Sequence, residues 1–312
     1  MKRLIAALPF AALLLAMVGG CGEDSQRPAS DSSVGRNEPI SEQVSEQPSQ
    51  TQPDASPITL EAELKAALKE KNPSFVGEIG VQRDERQIRA VGVNDPAIED
   101  ISPLAGLDLM LLDLRGCHVT DVGALRGMPL QELYLEDTGV RDIGALGGMP
   151  LVKLYLSNSK VEDIGPLARA PLLQELNLVG TPVSDLAPLR GLRSLRMLWL
   201  TGCPISDIAP LREVPSLVSL TIAETKVSDL SPLKGHGLER LHMAKTEVTD
   251  LSPLQWMRLT RLIFTPNRIK AGMEYARDMP SIREIDTRFD EQYTQPMSPA
   301  RFWTLYDAGE LP

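Results

Sequence analysis

The chain has 312 residues, 42% of them hydrophobic, and a formal net charge of −10. That apolar content supports a sizeable folded core. The acidic balance, without any cluster of Lys and Arg, argues against a nucleic-acid partner, whose phosphates demand a basic face.

Residues 1–20 read as an export signal. Lys2 and Arg3 precede the apolar run Leu4 to Val18, which closes on Gly19, Gly20 and Cys21. Fifteen apolar residues are too few for a comfortable membrane span. The stretch Val18-Gly19-Gly20-Cys21 resembles a bacterial lipobox. That resemblance implies a lipid on Cys21 as first mature residue, and an exported, lipid-anchored protein on the periplasmic side of an outer membrane or at the cell surface. Several acyl chains would anchor it stably, since each buried methylene contributes about 0.8 kcal/mol. Residues 21–57 follow, rich in Ser, Gln, Pro and Glu and without an aromatic residue. Such a segment buries too little apolar surface to offset its ordering entropy, which predicts a tether.

Residues 58–93 are expected to cap the N-terminal end of a stacked fold. Leu60 to Lys71 has helical periodicity, with Leu60, Leu64, Ala67 and Leu68 on one face. Val76 to Val81 and Gln87 to Val93 then predict a hairpin across Arg83-Asp84-Glu85-Arg86.

Residues 94–268 repeat. Aspartate recurs at 100, 121, 142, 163, 185, 207, 229 and 250, in steps of 21 or 22 residues, and a leucine follows each at the fourth position. Every unit carries an alternating apolar pair such as Leu112/Leu114, Leu176/Leu178 or Leu220/Ile222. Period-2 alternation puts each pair on one face of a short strand, with a degenerate last strand expected at Ile282 to Ile285. The five or six apolar side chains of one unit cannot offset the backbone entropy of 21 residues, so a single unit would not fold. Stacking supplies each unit with two neighbours. Asp followed by an apolar residue, a small residue and Pro-Leu predicts a short helix start, the carboxylate accepting from otherwise unpaired N–H groups. A calcium ladder is the alternative use of the same carboxylates.

Units such as Val227-Ser228-Asp229-Leu230-Ser231-Pro232-Leu233 resemble the repeat of bacterial internalin-type leucine-rich-repeat proteins. The resemblance covers roughly 180 residues. It implies an α/β repeat fold: a leucine-rich-repeat solenoid with a parallel concave sheet and short 3₁₀ or single-turn helices on the convex side, in a protein that binds other proteins. One departure is the ninth slot of the unit, where the family often has Asn. This chain has Cys117, Thr138, Ser159, Thr181, Cys203, Thr225, Thr246 and Asn267 there, all small hydrogen-bonding residues.

Chemistry is sparse. Cys117 and Cys203 share one slot four rungs apart, about 19 Å by strand spacing, too far for a disulfide. His118, His236 and His242 have no metal-ligand spacing, and Ser231-Pro232-Leu233-Lys234 matches a Ser-x-x-Lys pattern only because the repeat places Ser there. No catalytic residue, metal or cofactor is expected. The binding candidates are residues between the buried strand positions: Asp113, Tyr134, Tyr155, Asn177, Trp199, Thr221, His242 and Ile263. Tyr134, Tyr155 and Trp199 are the expected anchors for a protein partner, with Asp113, Asn177 and His242 beside them, because Tyr and Trp supply large rigid contact area. A glycan could stack on the same rings. Flanking positions add Glu132, Lys153, Glu175, Met197, Arg240 and Arg261.

Residues 269–312 are expected to form a C-terminal cap and tail. Of 12 aromatic residues from Cys21 onward, 8 lie at or beyond Trp256, which predicts a dense cap. Ser298-Pro299 can start a helix with Phe302, Leu305 and Tyr306 on one face and Gly309 as its stop. A docking segment is the alternative role for that tail.

Overall fold

The computed structural model describes residues 57–84, 87–288 and 297–311. The expected signal, the expected lipid acceptor Cys21 and nearly all of the expected tether lie outside the described residues. The folded unit spans Ser56–Pro312.

Helix α1 (Pro57–Lys71) opens the unit. Leu64 and Leu68 are buried on its inner face, with Leu60 packed beside them. Strands β1 (Gly80–Arg83) and β2 (Ile88–Gly92) pair antiparallel, with an irregularity between Gln82 and Arg83. The hairpin therefore forms where the sequence predicts it, although its first strand begins at Gly80. Asn72 ties this cap to the repeats. Its Nδ2 donates to the carbonyls of Leu68 and Asp100, each at 2.8 Å, and its Oδ1 accepts from the N–H groups of Glu99 and Asp100.

From β2 onward the strands run parallel in strict chain order, giving one 11-stranded sheet. They are β3 (Leu111–Asp113), β4 (Glu132–Tyr134), β5 (Lys153–Tyr155), β6 (Glu175–Asn177) and β7 (Met197–Trp199). Strands β8 (Ser219–Thr221), β9 (Arg240–His242), β10 (Arg261–Ile263) and β11 (Glu284–Asp286) complete it. The last is the degenerate rung expected from Ile282 to Ile285. In register, Leu112, Leu133, Leu154, Leu176, Leu198, Leu220, Leu241 and Leu262 form one row. All of them are at most 1% exposed, so the row is the spine of the core.

Each rung returns through a 3₁₀ turn, for example Ser102–Leu104, Ala187–Leu189 or Ser252–Leu254. The recurrent Asp acts one residue earlier than a standard cap. The cap position is the apolar residue after it, Ile101 or Leu230 for instance, and that residue has no side-chain cap bond. Instead the Asp Oδ1 accepts from the N–H two residues on, at 2.7 Å from Asp100 through Asp250. The short polar side chain thus satisfies a donor that the turn leaves open. Among the described residues no group of His, Cys, Asp or Glu side chains could hold a metal ion.

Most ninth-slot residues do the same work inside the rung; Ser159 does not, its buried Oγ having no hydrogen-bond partner among the described residues. Thr138, Thr181, Thr225 and Thr246 donate to the carbonyl three residues back, at 2.7–2.8 Å. Cys117 and Cys203 are free, buried thiols that donate to Val93 and Leu178 carbonyls of earlier rungs. Burial pushes the Cys117 thiol up to about 11, which makes it inert as a nucleophile near neutrality.

At the C-terminal end, α2 (Met273–Arg277) replaces a 3₁₀ turn and α3 (Pro299–Asp307) covers the last rungs. Ser298 Oγ accepts from Arg301 N, and Gly309 sits at φ 71° as the stop. Phe302 is fully buried against Phe264, with ring centroids 5.7 Å apart, and Asn267 Nδ2 donates to the Leu311 carbonyl. These contacts pack the tail onto the last rungs. Trp256 departs from the expected aromatic cap: it is 86% exposed, because its backbone sits in a left-handed turn that points the side chain outward.

Candidate functional site

Strand alternation sends one row of side chains into the core and the next onto the open face of the sheet. On that face the register aligns Asp113, Tyr134, Tyr155, Asn177, Trp199, Thr221, His242 and Ile263 as predicted. All are half-buried except Ile263, which is buried in the row between His242 and Asp286 and so is not a surface residue.

The first half of the row is paired with itself. Arg115 grips Asp113 with two bonds, Nε to Oδ1 at 2.9 Å and Nη2 to Oδ2 at 2.6 Å, and its guanidinium lies 5.5 Å from the Tyr134 ring centroid. Tyr134 donates its hydroxyl to Glu132 Oε2 at 2.7 Å. The other oxygen of Glu132 takes Lys153 Nζ at 3.1 Å, so this carboxylate, 5% exposed, is fully satisfied. Tyr155 reaches across to the next rung and donates to Glu175 Oε2 at 2.5 Å. Burial and then these hydrogen bonds raise both tyrosine pKa values well above the usual range. The rings themselves stack in a chain, Tyr134 to Tyr155 at 5.2 Å and Tyr155 to Trp199 at 5.9 Å.

Beyond Trp199 the face changes character. Where β4 and β5 carry Glu, Lys and Tyr, the following rungs carry Ser219, Thr221, Ala223 and Ala244, and the missing side-chain volume leaves a hollow of about 840 Å³. Trp199 forms one wall and His242 part of the lining. Arg240, Lys245, Arg261 and Arg288 line it against a single acidic side chain, Glu224. Lys245 pairs with Glu224 at 2.6 Å and Arg261 with Glu284, whereas Arg240 and Arg288 make no ion pair among the described residues. Burial lowers the His242 pKa to about 4, so its ring is neutral at pH 7.

The sequence row therefore holds, but its emphasis shifts. Tyr134 and Tyr155 are engaged by their own carboxylates, while Trp199, Asn177 and His242 border open space. The residues missed by sequence reasoning are the small ones, Ser219, Ala223 and Ala244. Ser219 carries a signal, since it interrupts the column Glu132, Lys153, Glu175, Met197, Arg240 and Arg261 in aligned repeats, whereas Ala223 and Ala244 follow Ser157, Val179 and Thr201 in a column that is small already.

A stacked parallel sheet with a 3₁₀ return in each rung is a leucine-rich-repeat solenoid. Residues 171–213 match the family model described as leucine-rich repeats in two copies. Among curated proteins no sequence matches the chain. Solved structures of similar fold include internalin C2 from Listeria monocytogenes, 25% identical over 65% of this chain and 92% of that one, with a TM-score of 0.52. An internalin, InlF, from the same organism is 20% identical over 75% and 90%, with a TM-score of 0.50. The Arabidopsis thaliana receptor kinase HAESA, solved with the peptide hormone IDA and the co-receptor SERK1, is 17% identical over 66% of this chain and 45% of that one, TM-score 0.52.

Proposed function

We propose that this chain is a lipid-anchored scaffold of a bacterial cell envelope that holds a protein partner on the open face of its sheet, in the hollow beyond Trp199. The observation that carries the reading is the contrast in that hollow: small side chains on part of its floor, an aromatic wall, and four cations of which two, Arg240 and Arg288, make no ion pair among the described residues, in a chain of net charge −10. Apolar atoms make up the larger part of its lining, and charge around it selects partners of opposite sign. The occupant is an extended, acidic segment of a protein. The same fold carries a peptide hormone in HAESA, which supports a peptide-sized ligand.

In-cell crosslinking identifies the partner, and Trp199→Ala then tests the site. Affinity is expected to fall at least roughly tenfold, as for an interface hot spot. Unchanged affinity would remove the sheet face from consideration. The anchor is tested separately. A fatty-acid analogue is expected to label the wild type and not Cys21→Ala; an unlabelled wild type refutes lipidation and leaves the binding site untouched.

A further inference from the structure

Two residues past most of the 3₁₀ turns, the chain enters a left-handed conformation. Gly106, Gly127, Gly148, Gly191 and Gly235 occupy that position, with φ between 74° and 83°. In the turn that follows β9 the residue is Trp256, at φ 72°. A bulky side chain in this region carries a steric penalty that glycine avoids, so its presence calls for a compensating use. Packing within the fold is not that use. A Cβ built on any of the five glycines meets nothing within 4 Å, which means the position opens onto solvent. Trp256 is 86% exposed and its indole makes no ring contact among the described residues.

Trp256 itself borders a hollow of about 730 Å³, which lies where α2 replaces the 3₁₀ turn of the next rung. Met257 and Met279, both buried, and half-buried Tyr275 give it an apolar lining. Its rim carries both signs of charge, Arg258 on one segment and Glu274 and Asp278 on another, and none of the three makes an ion pair among the described residues.

We propose that this surface joins two copies of the chain, the Trp256 indole of each seated in the hollow of the other. A protrusion and a matching hollow on one surface are what a two-fold axis requires, since each copy then offers what the other lacks. The rim follows the same rule: the axis brings Arg258 of one copy to the unpaired Glu274 and Asp278 of its partner. One indole and its hollow cover less than the roughly 1,200–2,000 Å² of a standard interface, so the dimer is weak and concentration-dependent. It uses the turn side of the solenoid and leaves the sheet face open.

Sedimentation equilibrium of the full chain, from about 1 μM to about 500 μM, is expected to show a monomer–dimer equilibrium in this affinity range. Trp256→Gly should weaken association at least about tenfold. The same variant should melt at an equal or higher temperature, because glycine relieves the left-handed backbone. Arg258→Glu should weaken the dimer as well, and adding Glu274→Arg should restore part of it. A monomer throughout the range overturns the proposal. So does an undiminished dimer in Trp256→Gly, or a marked fall in its melting temperature, which would make the indole part of the fold instead.

Discussion

The two halves of the open sheet face share a backbone and a register but differ in what their side chains do. From β3 to β6 the polar groups close on each other: Asp113 with Arg115, Tyr134 and Lys153 with Glu132, Tyr155 with Glu175. From β7 to β10 the small residues of β8 and the alanines at 223 and 244 sit among larger ones, the cations in the lining outnumber the carboxylate, and space is left for a ligand. Groups already paired in this way have little to gain from a partner, because any new bond replaces an old one. An unfilled, part-desolvated hollow with unpaired arginines has more to gain. Aromatic residues in a surface row are thus poor guides to binding until their polar ends are accounted for.

The comparison breaks most visibly under charge reversal. Arg240→Glu combined with Arg288→Glu changes two exposed side chains without ion pairs among the described residues, so folding should be unaffected. Affinity for an acidic partner segment should fall roughly 100-fold, because like charges across an interface cost several kcal/mol. The mirror experiment is Lys153→Glu, which sets a second carboxylate against Glu132. There the melting temperature should drop while affinity stays within about threefold, as expected for a site away from the contact. Isothermal titration and thermal melts of the variants read both quantities. Equal losses of affinity in both halves would dissolve the distinction.

A smaller effect probes the closed half alone. Tyr134→Phe removes the hydroxyl that Glu132 accepts and leaves a buried carboxylate with one donor fewer. Stability should fall by about 1.5 kcal/mol, the low end for a hydrogen bond to a charged group. Urea unfolding measures it. Partner affinity should be unchanged, and a parallel loss of binding would return Tyr134 to the role that its place in the row suggests.

How far the sequence reveals this depends on the range of the interaction. Rung spacing, the core row, the turn-closing Asp residues and the hydrogen-bonding ninth slot all follow from a period of 21 or 22, since each is a local requirement repeated many times. The pairing of Tyr155 with Glu175 is less legible, because it crosses rungs and depends on which rotamer reaches which neighbour. The hollow is defined by Ala223 and Ala244, residues whose importance lies in the atoms they lack. Asn72 stands outside the repeat, and its four bonds to Leu68, Glu99 and Asp100 become visible only once helix α1 is laid against the first turn. Trp256 counts as one more cap aromatic until its backbone angle places it in a glycine position.

The smallest expected effect separates the halves by pH. In the closed half, burial raises the Glu136 carboxyl from 4.5 to about 7, with Asp113 and Asp137 adding to the rise, Arg115 opposing it, and one carboxylate oxygen buried without a hydrogen-bond partner. Between pH 4.5 and about 7 the folded chain therefore holds a proton that the unfolded chain has released, and stability declines as pH rises through that window. In the open half the sign is opposite. Burial lowers His242 from 6.5 to about 4, so between these values the unfolded chain binds the extra proton and stability declines as pH falls. The two slopes partly cancel in the wild type, and each variant should expose the other. Glu136→Gln should lose stability on acidification from pH 6.5 more steeply than wild type, and His242→Gln should gain stability over the same interval. Urea unfolding at several pH values across this range tests the pair, and parallel pH profiles for wild type and both variants would show that neither side chain is held in the environment described.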